Sequence, residues 1–266
     1  MSEAIDRVPS GLRPLADGVI AAAAKDPRFL AVLVGGSIAG GTPDEYSDLD
    51  LVLVCTDADA REVLAQGKEF AALAGPLLVA FTGEHVGEPR LLIALYGPPV
   101  NHVDLKFIGL SELDQRVEDG LILWQRDDQV QQRLRLAEAA WPQADPQWIE
   151  DRFWVWIHYI AVKIGRGELF EAVDGLSAIR RMAIVPLIVS GRTDRPAGVR
   201  RIEQLAPDLL PQLKQTVAAH DRAGCLRALH AAVDLYREVR PAGLVRRTDA
   251  EQAVIAYVDD LPARLS

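Results

Sequence analysis

Cysteine is nearly absent from this chain: Cys55 and Cys225 are the only two in 266 residues. Each sits in an apolar run, which suits reduced core thiols and excludes a disulfide framework. The five histidines are scattered, so a zinc cluster is disfavoured as well. Long apolar runs are also missing. No stretch of about 18 uncharged apolar residues occurs, and no membrane span is expected. The segment Met1–Arg13 is polar and carries acids, so no signal peptide is expected and the location read from the sequence is cytoplasmic. An excess of positive charge is lacking too. With 29 Lys and Arg against 38 Asp and Glu, the net charge is −9. Nucleic-acid binders usually carry a basic surface, because phosphate contacts dominate that affinity, so a DNA or RNA partner is excluded.

What is present is ordinary for a packed protein: 49% hydrophobic and 25% charged residues exclude disorder. The charge is unevenly spread. Residues 1–145 carry 12 basic and 23 acidic side chains, a balance of −11, and residues 146–266 carry 17 and 15, a balance of +2. The break falls at Trp141-Pro-Gln-Ala-Asp-Pro-Gln147, whose two prolines read as a linker. Two domains are therefore expected, 1–142 and 143–266.

Before the break, strand and helix patterns alternate. Helices are predicted over Gly11–Lys25 and Asp57–Leu73. Strands are predicted over Phe29–Val34, Leu49–Cys55, Leu77–Phe81, Leu91–Tyr96, Val100–Ile108 and Leu121–Trp124. Gly97-Pro98-Pro99 reads as the turn of a hairpin. After the break, apolar residues recur three or four apart over Pro146–Arg166, Leu169–Ser190, Leu209–His220, Arg222–Arg240 and Asp249–Leu261. The fold class is α+β: a mixed β-sheet flanked by helices, followed by an all-helical bundle.

The most informative segment runs from Val34 to Val54. A strand ends at Gly35-Gly36, where glycine permits a sharp turn and close approach of a phosphate to the amides. Ser37 follows at or near a helix start, where its hydroxyl and free N–H groups can hold an anion. Asp48 and Asp50 are two apart on the next strand and so share a face. Two carboxylates side by side repel unless a cation lies between them. Magnesium takes oxygen ligands and keeps part of its coordination for water and substrate phosphates. Asp104 lies within a further predicted strand, where acids are poor residues. If that strand neighbours the Asp48 strand, three carboxylates converge, which suits two metal ions clamping a phosphoryl transfer. By strand parity His102 shares the face of Asp104. Taken singly, the glycines read first as a plain turn, Asp48 and Asp50 as a solvated strand end and Asp104 as a surface or salt-bridged acid; the order and spacing together point to a site.

Gly36-Ser37, followed after ten residues by Asp48-Leu-Asp50 and later by Asp104 on a strand, resembles the polymerase-β-type nucleotidyltransferase superfamily. Within it the chain is similar to the small bacterial antibiotic adenylyltransferases, which join a minimal nucleotidyltransferase domain to a helical one. The resemblance covers residues 11–135 by motif and the remainder by architecture. It implies transfer of a nucleoside monophosphate, AMP from ATP by default, to a hydroxyl of a small molecule such as an aminoglycoside or lincosamide. Asp48 and Asp50 would bind magnesium, Gly36 and Ser37 would hold the leaving phosphates, and Asp104 would complete the metal site or act as base. Related enzymes add cations for the triphosphate, and Lys163 is the first candidate, with Arg166, Arg180 and Arg181 nearby in sequence. Glu168 and Glu171 read as surface acids or acceptor contacts. Trp148, Trp154 and Trp156 read as core or as a stacking wall. Two other functions stay open at this point: adenylylation of a protein, and a non-catalytic nucleotide-binding module. The sequence does not give an oligomeric state.

Overall fold

The apolar runs of the first half assemble into one six-stranded sheet in the order β3-β4-β5-β2-β1-β6. The strands are β1 (Phe29–Val34), β2 (Leu49–Cys55), β3 (Leu77–Gly83), β4 (Glu88–Tyr96), β5 (Asn101–Gly109) and β6 (Leu121–Gln125). The structure is a computed structural model that describes residues 3–265, so Met1, Ser2 and Ser266, at the ends of the expected domains, lie outside the described residues. The β2–β5 pair is parallel and the other pairs are antiparallel, making the sheet mixed as expected. The chain divides into two compact units between Ala140 and Trp141.

Around the strands run α1 (Arg13–Lys25), α2 (Gly36–Ala39), α3 (Ala60–Ala65), α4 (Gly67–Ala74) and α5 (Gln129–Leu134). One face of the sheet packs on α1 and α4. Its core holds Val19, Phe29, Leu51, Phe70, Leu105 and Phe107. Phe29, Phe70 and Phe107 meet with ring centroids 4.7 to 6.4 Å apart, and burying each stabilises the unit by roughly 1.5–3 kcal/mol. Helices α1 and α4 cross so closely at Gly18 that a Cβ there would collide with the Ala74 carbonyl. The opposite face carries a smaller core of Leu33, Val54, Ile108, Leu113 and Val130, gathered toward one end of the strands. The other end of that face bears Asp50, His102 and Asp104.

The second unit is helical: α6 (Pro146–Arg166), α7 (Leu169–Ile179), α8 (Val185–Val189), α9 (Ile202–Leu205), α10 (Leu210–Gln215), α11 (Arg222–Val239) and α12 (Thr248–Leu265). Helix α6 starts where the Asp145 carboxylate accepts from the Gln147 and Trp148 amides, with Pro146 in the first turn, and stops at left-handed Gly167. Its apolar face meets α11, where Phe153 stacks on Tyr236 with centroids 3.6 Å apart.

Three predicted helices differ from those observed. Asp57–Leu73 is two helices, because the backbone leaves helical geometry at Gln66 (φ −93°, ψ 12°) before α4 turns Phe70 and Ala71 onto the sheet. Leu169–Ser190 is interrupted by a π-helical turn at Arg180–Ile184. Pro186 follows at once and has no N–H for the carbonyl four residues back, which the wider turn accommodates. Leu209–His220 shortens to α10, since the buried Thr216 hydroxyl donates to the Leu213 carbonyl and closes the helix.

Candidate active site

The β2–β5 register sets Asp50 opposite Asp104, with Leu49 opposite Val103 and Leu51 opposite Leu105. The leucines and Val103 are buried, so alternation turns both carboxylates to the face that bears the smaller core. Asp48 sits one residue ahead of β2 rather than within it. Like Asp50 and Asp104 it is half-buried. Parallel pairing thus sets two acids 54 positions apart in sequence opposite one another, while Asp48 stays in the loop just before β2.

Strand β1 delivers the glycines to the same place. The Gly35 amide donates to the Asp50 carbonyl at 2.9 Å, extending the β1–β2 pairing by one residue. Gly36 then adopts φ +58°, and a Cβ on it would overlap the Asp50 carboxylate. The left-handed turn and the close approach both call for glycine. Ser37 enters the single turn of α2 and donates its hydroxyl to Ser47 at 3.0 Å; Ser47 in turn accepts from the Asp44 amide and donates to its carboxylate. This chain pins the loop that leads from the glycines to Asp48.

Two further groups reach the site. The Gly36 amide donates to Glu118 Oε1 at 3.4 Å, from the segment between β5 and β6. His102 Nε2 lies 2.8 Å from Asp104 Oδ1. His102 was legible by strand parity. Glu118 was not: within Arg116-Val-Glu-Asp-Gly120 nothing distinguishes it from a solvated loop acid.

The cations beside this face are engaged elsewhere. Lys106, two residues beyond Asp104, reaches Glu88 at 2.8 Å, and Arg90 holds Glu88 and Glu112. The Arg90 guanidinium, with help from Lys106, holds the Glu88 carboxyl down at about 2. Among the described residues no three His, Cys, Asp or Glu side chains form a ready-made metal cage. In the helical unit Lys163 ends α6, where it pairs with Glu168 at 2.5 Å and lies over the Tyr159 ring at 5.1 Å. The Tyr159 hydroxyl donates to Glu171 at 2.6 Å. Trp154 is core, whereas Trp148 and Trp156 form a pair 5.6 Å apart, with Trp148 partly exposed.

A mixed six-stranded sheet flanked by helices is followed by a helical unit. The model of the streptomycin adenylyltransferase family matches residues 13–246. The chain belongs to that family, and is an adenylyltransferase. Solved structures are similar at low identity. An aminoglycoside 6-adenyltransferase from Bacillus subtilis is 17% identical, with 92% of this chain and 97% of that chain covered and a TM-score of 0.42. A nucleotidyltransferase-like protein from Exiguobacterium sibiricum is 13% identical, with 84% and 74% covered and a TM-score of 0.40. No curated protein matches. Among the described residues, no helix is long and apolar enough to cross a membrane.

Proposed function

We propose that this enzyme transfers AMP from ATP to a hydroxyl of a small antibiotic of the aminoglycoside class, with magnesium as its metal. The observation that carries the reading is the register that sets Asp50 opposite Asp104 beside the Gly35-Gly36 turn. Family membership supports both the adenylyl donor and an antibiotic acceptor. The net charge of −9 suits a cationic acceptor over a nucleic acid.

The chemistry of the donors, rather than a preformed cage, suits a hard divalent ion. They are carboxylate oxygens, and they stand next to backbone amides that suit phosphate. Asp48, Asp50 and Asp104 would hold the magnesium, as two ions when triphosphate shares the coordination. Bound there, magnesium supplies neutralisation of the triphosphate and of the charge developing in transfer. Gly36 and Ser37 receive the leaving phosphates through an amide and a hydroxyl, in exchange for Glu118 and Ser47. The acceptor hydroxyl attacks the α-phosphorus in line, the bond to pyrophosphate breaks, and the hydroxyl proton passes to a carboxylate. Asp104 takes that proton or serves as the third ligand. Residues 1–142 carry the chemistry, and residues 143–266 contribute to substrate and nucleotide binding, with Lys163 exchanging Glu168 for a phosphate.

The test is pyrophosphate release with magnesium, each of the four ribonucleoside triphosphates, and a panel of aminoglycosides and lincosamides. ATP with at least one aminoglycoside is expected to give release. No release with any antibiotic overturns the acceptor assignment, and unchanged turnover by Asp50→Asn overturns the catalytic one.

A further inference from the structure

Asp104 occupies a central strand, and its neighbours across the sheet are known on both sides. On β2 it faces Asp50, a like charge. On β4 it faces Ile93, which offers no hydrogen bond. Neighbouring strands lie about 4.8 Å apart, a separation at which like charges on the same face repel. Along its own strand, residues two away share its face: Lys106 in one direction and His102 in the other. Lys106 is drawn off to Glu88, where Arg90 also binds. His102 remains, with Nε2 2.8 Å from Asp104 Oδ1. A carboxylate can only accept, so the hydrogen on this contact belongs to Nε2. An imidazole N–H fixes a carboxylate oxygen without the permanent full charge of a lysine or arginine, which would compete with a metal ion for the same group.

We propose that His102 is a positioning residue: its Nε2–H holds Asp104 by Oδ1 and so orients the carboxylate to bind the divalent ion. This rests on the metal reading of the three aspartates. His102 does not touch the ion and acts through Asp104. Hydrogen-bond partners of this kind fix the orientation of a metal-binding side chain, and removing them costs roughly 10–100-fold in metal affinity. The side chain of His102 is 46% exposed, so its replacement leaves the fold intact.

The experiment measures Mn2+ binding to the full chain by the loss of the free-ion electron paramagnetic resonance signal. Wild type, His102→Ala, His102→Gln and Asp50→Asn are compared, with melting temperatures recorded beside them. His102→Ala is expected to bind Mn2+ about tenfold more weakly or worse, with an unchanged melting temperature. His102→Gln, whose amide N–H can reach the same oxygen, is expected to recover most of that loss. A His102→Ala variant that binds like wild type overturns the inference, and so does a His102→Gln variant as weak as His102→Ala. Those outcomes leave the metal reading standing. Wild type with no Asp50-dependent Mn2+ binding overturns the metal reading and this inference together.

Discussion

The Asp50 carboxylate lies so close to the backbone of Gly36 that a β-carbon on Gly36 would overlap it. Gly36 also holds φ +58°, a conformation that costs an L-residue about 1–2 kcal/mol. Gly36→Ala therefore strains the turn and displaces Asp50 at once. The variant is expected to fold, with a melting temperature lowered by a few degrees, and to lose on the order of 100-fold in kcat/KM, as misplaced charge-stabilising groups do. Steady-state kinetics beside a thermal melt checks it. Near-wild-type kcat/KM would show that Asp50 need not keep this contact.

How much of this was legible in the sequence depends on whether the signal was local. Strands β1 and β2 begin and end where predicted, since short apolar runs bounded by Gly35-Gly36 and Thr56 have few other readings. The three aspartates stand out because acids are out of place in or beside such runs. The meeting of Asp50 and Asp104, by contrast, depends on β2 pairing in parallel with β5 across an intervening hairpin, which no local pattern encodes. Glu118 reaches Gly36 from 82 positions away, and its surroundings in the chain are those of any polar loop. The break at Gln66 and the π-helical turn at Arg180 went unread for a related reason: the apolar spacing runs through both with no interruption.

Arg126 makes a second long-range connection. Its guanidinium donates to the carbonyls of Ala23, Ala24 and Asp26 at the end of α1 and to Phe29 on β1. The last carbonyls of a helix lack the full set of helical partners; here Ala23 and Asp26 also accept from the Asp26 and Phe29 amides, and a cation beside them meets the negative end of the dipole. Arg126→Met keeps much of the side-chain volume and removes the donors. It is expected to cost about 1.5–3 kcal/mol in urea unfolding, with kcat/KM changed less than threefold. A stability equal to wild type would show that water replaces these bonds at no cost.

Lys163, its side chain partly buried, is paired with the more exposed Glu168 near the end of α6. The Glu168 hydrogen bond, foremost among its surroundings, holds the Lys163 ammonium above its ordinary range, so the lysine is charged at neutral pH. If it serves the triphosphate, Lys163→Ala raises the KM for ATP about tenfold and leaves the melting temperature and the KM for the acceptor unchanged. Glu168→Ala is expected to leave the KM for ATP unchanged or lower it. An unchanged KM in Lys163→Ala would assign the lysine to the surface alone.

Glu150 supplies a prediction about acid. The residue is fully buried in the helical unit. It accepts from the Tyr236 hydroxyl on α11, from Trp154 Nε1 at 3.2 Å and from the Arg247 amide at 2.9 Å, with Arg240 at 3.7 Å. Burial pushes its carboxyl up, but the donors from Tyr236, Arg247 and Trp154 together with the Arg240 charge outweigh burial and hold it below the usual glutamate range. The unfolded chain, with an ordinary glutamate near 4.3, therefore binds this proton more readily than the folded one. Stability from Glu150 is present above that ordinary value and is lost as pH falls through the lower folded value. Glu150→Gln retains one acceptor oxygen and adds an amide N–H2 that faces donors. It is expected to destabilise the protein by about 1–3 kcal/mol at pH 7, with the gap to wild type narrowing below about pH 4. Urea unfolding of both proteins between pH 7 and pH 3 measures that gap. A difference that stays constant down to pH 3 would mean that Glu150 binds its proton equally in both states, and that the network holds it by shape rather than by charge.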